Sequence, residues 1–336
     1  MCSTARQGAL ILALALAGGN AAAASCAESP ALPQGIAQLY SDGLNRAVLR
    51  EGDGRFWRLQ AVGNQMVLEP MERPADPPLA SDDALPDTLI STGQRDIRRA
   101  WLAGPTDRYR HGVLGDAIEA TTLRVEMADG RNLEYLLDEQ SVFEDRYPRI
   151  VDLDGDGREE LVLVRSYLDQ GAALAVFGVR GERIELLAET PPIGTPFRWL
   201  NPAGFPDLDG DGKPEIAVVI TPHVGGVLQI YRYGEGVLTP TWRMEGFSNH
   251  VAGSSELAMA VVTDLNRDGR HELIIPADGR LILNQVWLTS EGLRVWRMAR
   301  HPDPINTAIL AGDFDSDGRL ELLYGLQDGR LVFCSL

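Results

Sequence analysis

Short apolar runs, broken at close intervals by turn-forming residues, organise most of the chain. Around residue 150 the segments RIVDL, EELVLVRSYL, ALAVFGV and RIELLAE follow one another with Gly and Asp between them. Each run is too short for an amphipathic helix and is rich in Val, Ile and Leu, which predicts four strands. The sets AGFPDL, EIAVVIT, VLQIYRY, VLTPTWRM and AMAVVTDL, ELIIPA, LILNQVWL, LRVWRMA repeat the layout. Four strands joined by tight turns predict one propeller blade. Upstream, IRRAWLAGPTDRYRHGVLG with TLRVEMADGRNLEYLL, and then NRAVLRE, FWRLQA and MVLEP, give two degenerate sets within 36–145.

The last set holds ELLYG and RLVFCSL but no fourth strand before residue 336. An N-terminal segment near GIAQLY is the expected donor, because a borrowed strand closes a ring and removes exposed edges. The expectation is therefore an all-β chain: a single β-propeller of four-stranded blades over 26–336, six in number with seven as the alternative count. The proline-rich stretch PMERPADPPLASDDALPD is expected to be a solvated excursion.

A motif is laid over this pattern. DLDGDGREELVLV, beginning at Asp152, recurs as DLDGDGKPEIAVV, DLNRDGRHELIIP and DFDSDGRLELLYG, with starts 55, 57 and 49 residues apart. Calcium takes six to eight hard oxygens, and a tight loop can supply them from alternate residues. The candidate ligands stand at positions 1, 3, 5 and 9: Asp152, Asp154, Asp156 and Glu160; Asp207, Asp209, Asp211 and Glu215; Asp264, Asn266, Asp268 and Glu272; Asp313, Asp315, Asp317 and Glu321. Position 7, which is Arg158, Lys213, Arg270 and Arg319, is expected to offer its main-chain carbonyl while the basic side chain points outward. Glycine at position 6 permits the turn. Asn266 removes one carboxylate, which ranks the third loop weakest. In the degenerate set upstream, GPTDRYR is expected to stand where this loop would be, and no calcium is assigned to it. A helix-loop-helix site needs a bidentate Glu at position 12, where this chain has Leu163, Val218, Ile275 and Tyr324. The bland alternative is a set of polar Asp-Gly turns between strands, and four near-identical copies at a steady period weigh against it.

The D-x-D-x-D-G-x-x-E loop resembles the FG-GAP or VCBS-type repeat of integrin-like β-propellers, clearly over 147–336 and weakly back to about 96. That resemblance implies a propeller with about four structural calcium ions and says little about activity. It also implies that the acidic loops lie on one face and that the other connections gather on the opposite one. Those connections carry Arg165, Tyr167, Arg198, Trp199, Asn201, His223, Asn249 and His250, a set suited to a protein or glycan ligand. The competing reading is that they are ordinary packing and capping groups. His223 and His250 with Asp169 are the weaker candidate for acid-base chemistry. No G-x-S-x-G, H-E-x-x-H or phosphate-loop motif is present. A propeller enzyme acting on polysaccharide is thus the alternative to a binding module.

Composition narrows the setting. The formal charge of −17 disfavours nucleic acid as a partner. The opening MCSTARQGALILALALAGGNAAAAS has a basic start, a short apolar core and small residues, which predicts a signal peptide over 1–25 and export to a periplasmic or extracellular setting. No segment is long and apolar enough for a transmembrane helix. Cys26 and Cys334 would then remain near the two ends of the mature chain. A disulfide between them, a lipid anchor on Cys26, and free thiols are the three uses considered, and ring closure favours the first.

Overall fold

The computed structural model describes residues 25–336 apart from 42, 44–45, 63–64 and 76–79, so the expected leader lies outside the described residues except for Ser25. Among the described residues there is no α-helix, only a 3-10 turn at Asp278–Arg280, and no helix is long and apolar enough to cross a membrane. The chain is all-β and builds a propeller from repeated four-stranded antiparallel units.

The first unit is β2 (Ile36–Ser41), β3 (Ala47–Glu51), β4 (Phe56–Val62) and β5 (Gln65–Met71). The second is β6 (Ser91–Thr92), β7 (Ile97–Thr106), β8 (Glu119–Met127) and β9 (Asn132–Leu136), and β10 (Ser141–Phe143) bridges it to the third. The third is β11 (Arg149–Val151), β12 (Glu160–Tyr167), β13 (Gly171–Arg180) and β14 (Arg183–Glu189). The fourth is β15 (Leu200–Gly204), β16 (Ile216–Ile220), β17 (Val227–Gly234) and β18 (Val237–Glu245), and the fifth is β19 (Val261–Thr263), β20 (Glu272–Pro276), β21 (Ile282–Thr289) and β22 (Gly292–Arg300). The last unit is β23 (Leu310–Gly312), β24 (Glu321–Gly325), β25 (Leu331–Ser335) and, on its outer edge, β1 (Ser25–Glu28).

Apolar residues on facing sheets seal one unit to the next. Leu123 and Phe143 meet Leu161 and Phe177; Val162 and Val176 meet Ile216 and Tyr233; Val219 and Ile230 meet Leu273 and Val286; Ile274 and Leu283 meet Leu322 and Val332; Leu323 and Phe333 meet Leu39, Leu49 and Trp57. Burial on both faces explains why ELVLVRSY and GAALAVFGVR read as nearly continuous apolar runs. Between the first and second units, no such cluster is found among the described residues.

Three sequence expectations change. The donor strand is Ser25–Glu28, not the segment at GIAQLY. Ile36–Ser41 is already the inner strand of the first unit, with Ile36 and Leu39 buried. The proline-rich stretch is not wholly solvated: Leu85 is buried against the second and third units, and Ala80, Ala84 and Ile90 cover Trp101 and Ala103. The loop equivalent to the acidic ones in the second unit is Gly93–Asp96, between β6 and β7, rather than GPTDRYR, which ends β7 and opens the connection to β8. Apolar pattern alone could not separate the two-residue strand β6 from its surroundings.

Cys26 faces Cys334 across the β1–β25 pairing and the two are disulfide-bonded, which takes the sulfur that a lipid anchor would need. Beside the bridge, His301 places Nδ1 2.8 Å from Glu28 on β1 and Nε2 2.9 Å from the Tyr324 hydroxyl on β24. Closing a loop of 308 residues removes entropy from the unfolded chain and contributes up to about 5 kcal/mol. Replacing Cys26 and Cys334 together by Ser should lower the melting temperature by about 10 °C, measured by calorimetry against the oxidised parent; an unchanged melting temperature would show that strand pairing alone secures the closure.

Candidate functional site

The four acidic loops each join the first and second strands of a unit, and their hydrogen bonds repeat. The first Asp accepts from the glycine amide at position 6, at 2.8 to 3.2 Å in Gly157, Gly212, Gly269 and Gly318. The residue at position 3 accepts from the amide at position 5, and position 5 accepts from position 7, as in Asp317 to Asp315 at 3.1 Å and Arg319 to Asp317 at 2.8 Å. The closing Glu accepts through Oε2 from the amide at position 2: Leu153, Leu208, Leu265 or Phe314, at 2.8 to 3.0 Å. The loop backbone thereby fixes one oxygen of each residue at positions 3, 5 and 9. At position 1 it fixes both oxygens of Asp152, Asp207 and Asp264, through further bonds from Gly155, from Gly210 and Asp211, and from Asp268, and only Asp313 keeps an oxygen without a partner.

Three loops bring their carboxylates together, with ligand atoms within 4.8 Å of one another: Asp313, Asp315, Asp317 and Glu321; Asp152, Asp154 and Glu160; Asp207, Asp209 and Glu215. Burial pushes the carboxyls of Glu160 and Glu321 up to about 7, and neighbouring Asp side chains add to the effect. Glu160 Oε1 and Asp313 Oδ1 are buried with no hydrogen-bond partner, an arrangement that costs free energy unless a cation supplies the missing partner. These donor sets fit a hard divalent ion. At position 7, Arg158, Lys213, Arg270 and Arg319 are exposed.

The loops differ in what stands against them. Arg95 sits 2.6 Å from Asp152, and Arg232 contacts Glu215 at 2.8 Å and also Asp209. In the third loop the Asn266 amide donates to Asp268 and Glu272 at 3.1 and 3.2 Å. No cation contacts the fourth loop's four carboxylates among the described residues. In the second unit, Gly93–Asp96 has no acidic cluster; the neighbouring Glu159 accepts from the amides of Gln94, Arg95 and Ile97 instead. Position 4 also needs a left-handed backbone. It is Gly155 and Gly210 in two loops but Arg267 and Ser316, at φ 59° and 63°, in the others, which is strained for a side chain carrying a Cβ.

Connections between second and third strands, and between units, emerge on the opposite face because neighbouring strands are antiparallel. There His111, Phe197, Arg198, Trp199, Thr221, His223 and Val224 line a small open cleft of about 30 Å3. Trp199 lies parallel to His223 with ring centres 6.1 Å apart, and His250 contacts both. His250 Nε2 lies 2.8 Å from the Ser254 carbonyl, which can only accept, so His250 Nδ1 accepts from His223 Nε2 at 2.8 Å. Burial pushes His223 down to about 4 and His250 down to about 3, helped by the nearby Arg280 cation, so both are neutral at pH 7. Phe197, half exposed, stacks on Tyr109 at 5.0 Å and takes a φ of 57°, while Thr221 takes 51°. Both strained residues line the cleft. Arg198 makes no side-chain hydrogen bond or ion pair among the described residues.

Behind the cleft His111 Nδ1 is 2.6 Å from Glu144, whose other oxygen accepts from Ser166. Glu144 is fully buried, and that burial raises its carboxyl. The Glu119 side chain makes no hydrogen bond among the described residues, and the residue is 2% exposed; burial and the charges of Glu144, Asp116, Asp87 and Asp145 push it up to about 9. It is a neutral carboxylic acid at pH 7.

The sequence-derived set is thus divided. Arg198, Trp199, His223 and His250 come together, and Asp169 is not among them. Asn201 and Asn249 are wholly buried and exchange amide-to-carbonyl bonds with each other at 3.2 Å. Arg165 is buried against Ser141, Asp138 and Glu189, and Tyr167 donates to Glu189 at 2.6 Å. Sequence reading passed over His111, Phe197 and Glu144, since only the fold brings residues 111, 144 and 197 to one place.

Residues 207–275 match the FG-GAP-like repeat family, the segment that spans the second and third acidic loops. No curated protein sequence matches the chain. Among solved structures it is similar to the exotype rhamnogalacturonan lyase YesX (18% identity, 84% of this chain and 54% of that one, TM-score 0.46). It is also similar to rhamnogalacturonan lyase YesW (14%, 88% and 64%, 0.45) and to the Bacillus licheniformis rhamnogalacturonan lyase PL11 (15%, 86% and 66%, 0.38). The chain spans less than two thirds of the length of each.

Folding lifts Glu119 from 4.5 to about 9, so its native proton stabilises the fold at low pH, and that stability is lost as pH rises from about 4.5 towards 9. Glu119→Gln, which keeps the shape without the charge, should melt progressively above the parent over that window. Parallel melting curves for the two proteins would show that Glu119 is not held neutral.

Proposed function

We propose that this is an exported protein, periplasmic or extracellular, whose residues 26–336 form one propeller stabilised by calcium and serving as a binding module for a protein or glycan. Calcium is the ion chosen because the loops offer only oxygen, in quantity, from a flexible backbone. Each site would stabilise the fold by roughly 2.7 kcal/mol at free calcium about 100-fold above its dissociation constant. Extracellular-type modules manage with weak sites of this kind. The differences between loops set an order: the fourth fills first, the first and second only as Arg95 and Arg232 withdraw, and the third last. Calcium titration calorimetry on chelator-stripped protein should give about four ions, with Asp313→Asn removing the tightest and Arg232→Ala tightening a weaker one. No binding and no rise in melting temperature would reduce the loops to solvated turns.

The cleft on the opposite face carries the binding reading. An exposed aromatic ring, an uncommitted guanidinium and two strained backbone positions occur together there, and strain of this sort persists at sites that use it. Phe197→Ala and Arg198→Ala should each weaken capture of a glycan or protein ligand by about tenfold, while the melting temperature stays within a few degrees of the parent. Ligand capture that survives both changes would move the binding surface elsewhere.

A propeller enzyme acting on polysaccharide is the second reading. His111, oriented by buried Glu144 and opening on the cleft, has the base-and-orienter geometry of acid-base catalysis. Product formation that is lost in His111→Ala with ligand binding retained would favour chemistry, and binding without product in the parent would reject it.

A further inference from the structure

A cavity of about 400 Å3 is walled by strands β2, β3 and β23, by Leu89, by Arg146 and Tyr147 ahead of β11, and by residues 254–258 ahead of β19. Its size is that of a ligand site. These stretches reach it from several units, and Ser254 of its wall accepts at its carbonyl from His250 beside the cleft.

The polar side of the cavity follows from strand register. Gln38 pairs with Arg50 and Tyr40 with Val48, so these four side chains share one face of the first unit. Leu39 and Leu49 point the other way, into the apolar seam with the last unit. Among the described residues, no apolar cluster joins the face carrying Arg50 to the second unit, although Val48 on that face is buried. Arg146, the other cation of the wall, is committed to Asp87 and to the Ser255 carbonyl at 2.7 to 2.9 Å. Arg50 is half-buried and, among the described residues, its side chain makes no hydrogen bond, ion pair or ring contact. In a chain of net charge −17, a guanidinium without a counter-ion is a place where an anion is wanted. The same wall offers the Gln38 amide, the Glu256 carboxyl and the side chain of Leu89, which is 45% exposed.

We propose that this cavity binds a sugar acid, its carboxylate held bidentately by Arg50 and its hydroxyls by Gln38 and Glu256, with a C–H face of the ring against Leu89. A planar guanidinium matches the two oxygens of a carboxylate, and the mixed wall suits a molecule with both hydroxyl and apolar surfaces. The inference deepens the binding reading but rests on a different set of residues from the cleft.

The test is titration of the calcium-loaded protein with glucuronate and galacturonate monomers, dimers and trimers, alongside the matching neutral sugars and a glutamate peptide. The sugar acids should bind, the neutral sugars about tenfold or more weakly, and Arg50→Gln should lose that margin at an unchanged melting temperature, since Arg50 holds nothing in the fold. Phe197→Ala should leave this binding intact. Equal binding of neutral and acidic sugars, full affinity in Arg50→Gln, binding of the peptide alone, or no binding of any sugar acid would each overturn the assignment. Ligand capture that depends on the cleft would still stand in those cases.

Discussion

A four-stranded sheet has two faces to bury and, in a propeller, only its neighbours to bury them against. That constraint governs this molecule. Five junctions meet it with clusters of Val, Leu, Ile and Phe, and the inner strands of the third unit become apolar on both sides as a result. Among the described residues, the exception is the junction between the first and second units. There the segment after β5 folds back, setting Ala84 and Ile90 over Trp101, and the polar face of β2 and β3 is left to line a cavity. Where apolar burial is complete the chain makes scaffold, and where it is incomplete the chain leaves room for something else.

The acidic loops solve a second problem at the rim. Each concentrates carboxylates that repel one another, and each partly relieves the repulsion with its own backbone amides. The remainder is handled differently in each loop: by Arg95 in the first, by Arg232 in the second and by an amide in the third. The loops are also tied to one another, since His271 of the third accepts from the Asp207 amide and Arg267 donates to the Gly318 carbonyl. A change in one loop is therefore felt by the next around the rim.

Much of this was written in the sequence as period and composition. The four D-x-D/N-x-D-G loops and their strand sets needed only the spacing of acids, glycines and apolar runs. What escaped was long-range. Arg232 lies 17 residues beyond Glu215 in the chain, and Glu144 lies 33 beyond His111; nothing local marks either pair. Ser25–Glu28 was passed over as a strand because four residues beside an apparent cleavage site carry no alternation to read. The amide-rich positions Asn201 and Asn249 looked like ligand groups, but they lock one connection to another inside the fold.

The pairing of β1 with β25 has a consequence in time. Ser25–Glu28 is made long before its partner Leu331–Ser335, since Cys26 and Cys334 are 308 residues apart. Throughout synthesis, and through any passage across a membrane, the early strand must wait with its hydrogen-bonding edge unsatisfied. The intermediate units can assemble in order on their own apolar seams, but the β1 edge stays open until Leu331–Ser335 has been made. A molecule truncated before Leu331 would expose two unpaired edges at once, β1 and β24, and would be marked for aggregation or proteolysis.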